Sequence, residues 1–143
     1  MTILETLLSN TQDVKVIDDS ISHENYIPLD LSSSNHELSK FDIKCAASFE
    51  EYVENHLALN NAKVAFGGYN EQRNLYQRST IFMHEDTDER NMHIGLDLWI
   101  KAGTPVLSAL DATVHSYNFN AGFGDYGPTI ILEHQLENQT FYA

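Results

Sequence analysis

His93 and Asp97 are the residues of this chain whose type and spacing best suit chemistry, as donors to a metal ion. They lie in Met92-His93-Ile94-Gly95-Leu96-Asp97-Leu98-Trp99, a stretch of strict alternation. Successive side chains of an extended strand point to opposite faces. Ile94, Leu96, Leu98 and Ile100 then form an apolar face, and His93, Gly95, Asp97 and Trp99 a polar one that carries the donors. A helix would also place His93 and Asp97 together, but Gly95 and the β-branched residues argue against it. Zinc accepts His nitrogen and carboxylate oxygen, and its catalytic sites join three protein ligands to an open fourth position. A His and an Asp on a solvated strand face are the commoner outcome of such spacing, so the pair alone leaves both readings open.

The other histidines add little to this pair. His56 falls on an apolar helical stripe and reads as a packed residue. His84 sits in the acidic run His84-Glu85-Asp86-Thr87-Asp88-Glu89, a solvated loop. His115 shares a strand face with Thr113 and Tyr117, and His134 ends an apolar strand; both read as surface or hydrogen-bonded residues. The loop Asn120 to Pro128 is rich in glycine, but no helix start follows it to hold a phosphate.

The elements that must position these residues are mostly strands. Ile3, Leu4, Leu7 and Leu8 have helical spacing, and short strands are expected around Val14 to Ile17. The best helix begins at a capping-box pattern, Ser48 with Glu51, and carries Phe49, Tyr52, Val53, His56 and Leu57 on one stripe. Lys63 to Phe66 reads as a strand, and Gly67-Gly68-Tyr69 as a turn. Thr113 to Phe119 and Thr129 to His134 are further strands, and Gln139 to Ala143 opens another.

At 143 residues the length fits about one domain. The 21 acidic and 8 basic residues, net −13, disfavour nucleic acid and anionic membranes as partners. One cysteine, Cys45, permits no internal disulfide and suits a reducing compartment. The start lacks the basic and long apolar regions of a signal peptide, and no run approaches a membrane span. A cytoplasmic protein is expected.

Several motifs in order resemble the lysostaphin-type (LytM-like) zinc metallopeptidases, a family that includes many peptidoglycan endopeptidases. They are Gly67-Gly68-Tyr69 with Glu71, Arg73, Tyr76 and Ser79; Arg90 before His93-Ile94-Gly95-Leu96-Asp97-Leu98-Trp99; and Ala102-Gly103-Thr104-Pro105-Val106. Leu110-Asp111 with Val114-His115-Ser116 follows, and then Gly124-Asp125-Tyr126-Gly127-Pro128 running on to His134. The resemblance covers roughly residues 64–143 and is nearest to a cytosolic branch with an extra N-terminal region.

The resemblance implies zinc as cofactor, with His93 and Asp97 matching the first two ligands. No catalytic residue of the family falls on a matching position. The Tyr-Gly-His-Leu segment and the His-x-His pair, which carry the catalytic histidines and the third ligand, belong beyond Ala143. His115 and His134 match positions often filled by His, but not ligands. The implied architecture is mainly β: an α-containing N-terminal region, 1–63, and a domain, 64–143, with the incomplete antiparallel sheet or barrel-sandwich core of the family. Truncation before the second half of the zinc site implies no peptidase activity and self-association through an exposed sheet edge. Asp111-Ala112 departs from a common Asp-Gly, which implies a strained turn. The substrate implied is a peptide or peptidoglycan fragment. The alternatives are a non-catalytic peptide- or glycan-binding β-module and a small metal-binding β-barrel.

Overall fold

In the computed structural model, residues 2–12, 14–73, 91–122 and 125–143 are described. Tyr76, Ser79, His84 with its acidic run, Arg90, and Phe123 and Gly124 of the glycine-rich loop lie outside them. In chain order the elements are α1 (Ile3–Ser9), β1 (Tyr26–Pro28), α2 (Ala46–Leu59), β2 (Val64–Gly67), β3 (Glu71–Gln72), β4 (Met92–His93), β5 (Asp97–Trp99), β6 (Ala112–Asn120), β7 (Gly127–Leu136) and β8 (Gln139–Tyr142). Among the described residues the architecture is therefore mainly β, with two α-helices and three small sheets, none closed. No helix among them is long and apolar enough to cross a membrane. The chain divides into two compact units, Ile21–Gly103 and Met1–Ser20 with Thr104–Ala143.

In the first unit β2 is the middle strand of the sheet β1-β2-β5, parallel to β1 and antiparallel to β5. A middle strand covered on both faces needs apolar or small residues throughout, and Val64, Ala65 and Gly67 are all buried. Pro28, which has no N–H to donate, is tolerated because β1 is an edge strand. The core comprises Leu29, Leu31, Val53 and Ala65, with Ile27, Phe49, Tyr52, Leu57 and Trp99 packed around them. Burying a Leu or Val side chain stabilises by about 1.5–3 kcal/mol, so Leu31 and Val64, the largest fully buried ones, anchor this sheet.

The stripe expected on α2 faces this core, and His56 Nε2 lies 2.9 Å from the carbonyl oxygen of Pro28. The start of α2 differs from the capping-box expectation. Its N-cap is Cys45, and the bond from Phe49 N–H to Cys45 O closes the first turn. Ala46 and Ala47 extend the helix upstream because Ala is the best helix former, which leaves Ser48 inside the first turn. The capping box lies instead at α1, where the Thr2 and Glu5 side chains bond each other's backbone N–H.

In the second unit β6, β7 and β8 form an antiparallel meander. The ladder slips between Val114 and Ser116, leaving His115 as a bulge. A bulge inserts one residue and so reverses the facing of the strand beyond it. Thr113, opposite Glu133, and Tyr117, opposite Ile130, thus lie on different faces, contrary to plain alternation. Val14 to Ile17 forms no strand beyond one bridge, Ile17 to Val106. Ala112 opens β6, and neither it nor Asp111 has positive φ, so the expected strain at this turn is absent.

Candidate metal centre

The segment 92–99 is two short strands rather than one, with a break at Ile94-Gly95-Leu96. Opposite it, Gly68-Tyr69-Asn70 separates β2 from β3. The register is continuous across the break: Gly67 pairs with Asp97 and Glu71 with His93, four residues on along each strand. Beyond β3 the N–H of Arg73 donates to Asn91 O, which extends the same pairing. The two arms thus form one antiparallel ladder that opens for three residues and closes again. Residues directly opposite in such a ladder share a face, so Gly67, Glu71, Arg73, His93 and Asp97 belong to one side.

This keeps the polar side that alternation predicts while changing the apolar one. Ile94 and Leu96 fall in the opening and are exposed, at 74% and 60%, instead of packing inward. His93 and Asp97 stand at its two lips. Asn70, at φ 58°, makes the bend on the opposite arm, a conformation that Asn tolerates better than most residues. Gly67 and Gly68 do not have positive φ.

His93 Nδ1 lies 2.9 Å from Gly68 O. A carbonyl oxygen only accepts, so Nδ1 carries the proton and, in the neutral ring, Nε2 keeps its lone pair. That Nε2 lies 3.4 Å from Asp97 Oδ2. Two donors about 2.0–2.1 Å from a tetrahedral ion are roughly 3.3–3.4 Å apart, so the pair has the spacing of one edge of a zinc tetrahedron. The side chains of His93 and Asp97 are partly open to solvent, 14% and 35% exposed.

Asp97 Oδ2 also accepts from Arg73 Nη1 at 2.6 Å. Arg73 Nε donates to Glu71 Oε2, and Glu71 Oε1 accepts from Leu31 N–H at 3.0 Å. Burial acts to lower the Arg73 pKa, but the bonds to Asp97 and Glu71 outweigh it and raise the pKa above the usual range. Glu71 is near the pair, yet each of its oxygens already has a partner. Among the described residues no group of three or more His, Cys, Asp or Glu side chains is placed to hold a metal.

His115 and His134 belong to the second unit, where each has its own partners. His115 lies against Ser116 and the edge of Tyr142. His134 is buried, its Nδ1 3.2 Å from Asp111 O and its ring stacked on Phe141. The sequence names Glu71 and Arg73 within a motif without giving them a role. Their signal is parity: both are odd-numbered, like His93 and Asp97, on arms that pair in register. In comparisons with known proteins, no family model, no curated protein and no solved structure matches this chain.

Proposed function

We propose that His93 and Asp97 form half of a zinc site of the lysostaphin-type metallopeptidase kind, in a chain related to enzymes that hydrolyse peptide or peptidoglycan amide bonds. The observation that carries this reading is the 3.4 Å separation of His93 Nε2 and Asp97 Oδ2, with Nδ1 already committed to Gly68 O. His93 presents a fixed lone pair, and Asp97 presents a carboxylate oxygen with a second lone pair beside the one that Arg73 occupies. A zinc ion held there would polarise a carbonyl and acidify a bound water. Among the described residues no third donor joins the pair. Following the family resemblance, the proposed activity of this chain is metal binding without peptide cleavage. A reducing, cytoplasmic setting is part of the proposal and rests on the free, exposed Cys45.

A second reading, a non-catalytic β-module that binds peptide or glycan or self-associates, is favoured by Tyr117 and Phe119, exposed at 81% and 68%.

Equilibrium dialysis against zinc tests the leading reading. It expects one weakly held ion per chain, lost in His93→Ala and in Asp97→Asn. Uptake that neither substitution changes would sink it, and peptide cleavage abolished by His93→Ala would overturn the proposed inactivity.

A further inference from the structure

We infer that Arg73, held by Glu71, is the positioning residue that keeps the Asp97 carboxylate turned toward His93. The inference rests on the metal reading above and adds residues to it. Arg73 is 5% exposed, and a charge buried to that depth is costly unless anionic partners compensate it. Its partners come from two strands: Nε donates to Glu71 on β3 and Nη1 to Asp97 on β5. The planar fork fixes the angle between these bonds, which a lysine ammonium cannot do. Glu71 is fixed in turn, because its other oxygen accepts from the N–H of Leu31, itself 1% exposed. A continuous chain of bonds therefore runs from buried backbone at Leu31 through Glu71 and Arg73 to Asp97.

Charge is arranged to suit a cation. Arg73 is shared between two carboxylates, so this cluster holds one more acidic than basic side chain beside His93 Nε2. Arg73 Nη2 is buried without a hydrogen-bond partner among the described residues. The guanidinium is thus placed by its two carboxylate bonds. Ligating carboxylates are commonly oriented by such outer partners, and removing one typically weakens metal affinity by about 10–100-fold.

The test uses the full chain with Arg73→Lys, which keeps the charge but loses the fork, and Glu71→Gln, which keeps the shape but loses the charge, each checked for folding by circular dichroism. Zinc affinity is measured by competition with a chromophoric chelator, and cobalt(II) is bound for its visible spectrum. The expected result is roughly 10–100-fold weaker zinc binding in either variant, with an altered cobalt spectrum. In the metal-free protein, the Asp97 carboxylate 13C resonance should shift in both. Unchanged affinity and spectrum would overturn the inference, as would tighter binding, which would make Arg73 a competitor for Asp97. An unmoved Asp97 resonance would overturn it without any metal. Wild-type binding that is indifferent to His93→Ala would instead remove the metal reading itself, and the inference with it.

Discussion

Gly67 and Trp99 lie so close that a Cβ built on Gly67 would come within 2.6 Å of the Trp99 indole. Their strands are paired, with Ala65 opposite Trp99 and Gly67 opposite Asp97, so the indole lies along the strand over the glycine. Trp99 cannot simply retreat, because Phe49 meets its ring at 6.1 Å as part of the core packing. The same added carbon would stand 3.0 Å from Arg73 Nη2. Gly67 is thus a close-approach glycine, required by the side chains that pack on it rather than by a turn.

Gly67→Ala is therefore expected to destabilise the protein by about 1–3 kcal/mol, the usual cost of overpacking. Urea denaturation of the variant beside the parent checks it. Equal midpoints and slopes would show that Trp99 has another place to go.

Alternation reveals the parity of this ladder. His93, Asp97 and Trp99 lie on the side of their strand where alternation places them, because a register-preserving opening leaves odd and even residues on their own faces. The opening itself is invisible to alternation, since Ile94 and Leu96 read as core and the exposure that marks them depends on Gly68-Tyr69-Asn70 opposite. The role of Arg73 is hidden for a related reason. Its bond to Asp97 spans 24 residues and depends on pairing register, which is set across strands and not along one. The helix α2 shows the reverse case: its stripe is local and readable, whereas its first residue turned on Ala46 and Ala47 rather than on Ser48.

The displaced start of α2 has a chemical consequence at Cys45. Cys45 is the N-cap at the start of the first turn, although its thiol makes no capping hydrogen bond. The Ser48 backbone N–H, the Ser48 hydroxyl and the Ala47 N–H, in that order, favour the thiolate and lower its pKa below the ordinary cysteine value. For an acid with a depressed folded pKa, the stabilisation is present above the unfolded pKa and is lost as pH falls through the folded one. Alkylation of Cys45 by iodoacetamide should accordingly reach half its limiting rate at a lower pH in the folded chain than in urea. Ser48→Ala, which removes the hydroxyl but keeps the N–H, should move that midpoint part of the way back. Coincident folded and unfolded profiles would show that the first turn does not act on the sulfur.

The bulge at His115 sets the character of the β6-β7-β8 sheet. Without it, Val114 would face away from Tyr117 and Phe119. With it, Val114 opposite Leu132, Tyr117 opposite Ile130 and Phe119 opposite Pro128 all share one face. The polar Ser116, Asn118 and Thr129 are gathered on the other, along with Ile131. One end of the apolar face is filled, by His134 stacked on Phe141. The rest is open, with Val114, Tyr117, Phe119 and Ile130 exposed at 61, 81, 68 and 63%. Contiguous apolar surface of this kind drives association unless something covers it, and β6 and β8 each have only one neighbour among the described strands. The purified chain is therefore expected to bind an anilinonaphthalene dye and to sediment as larger species with rising concentration. Tyr117→Glu combined with Ile130→Lys places opposite charges directly across the ladder, which preserves the pairing while removing the apolar centre. That double variant should lose most of the dye fluorescence and sediment as a monomer. A wild-type chain that stays monomeric and binds no dye at high concentration would show that this face is covered.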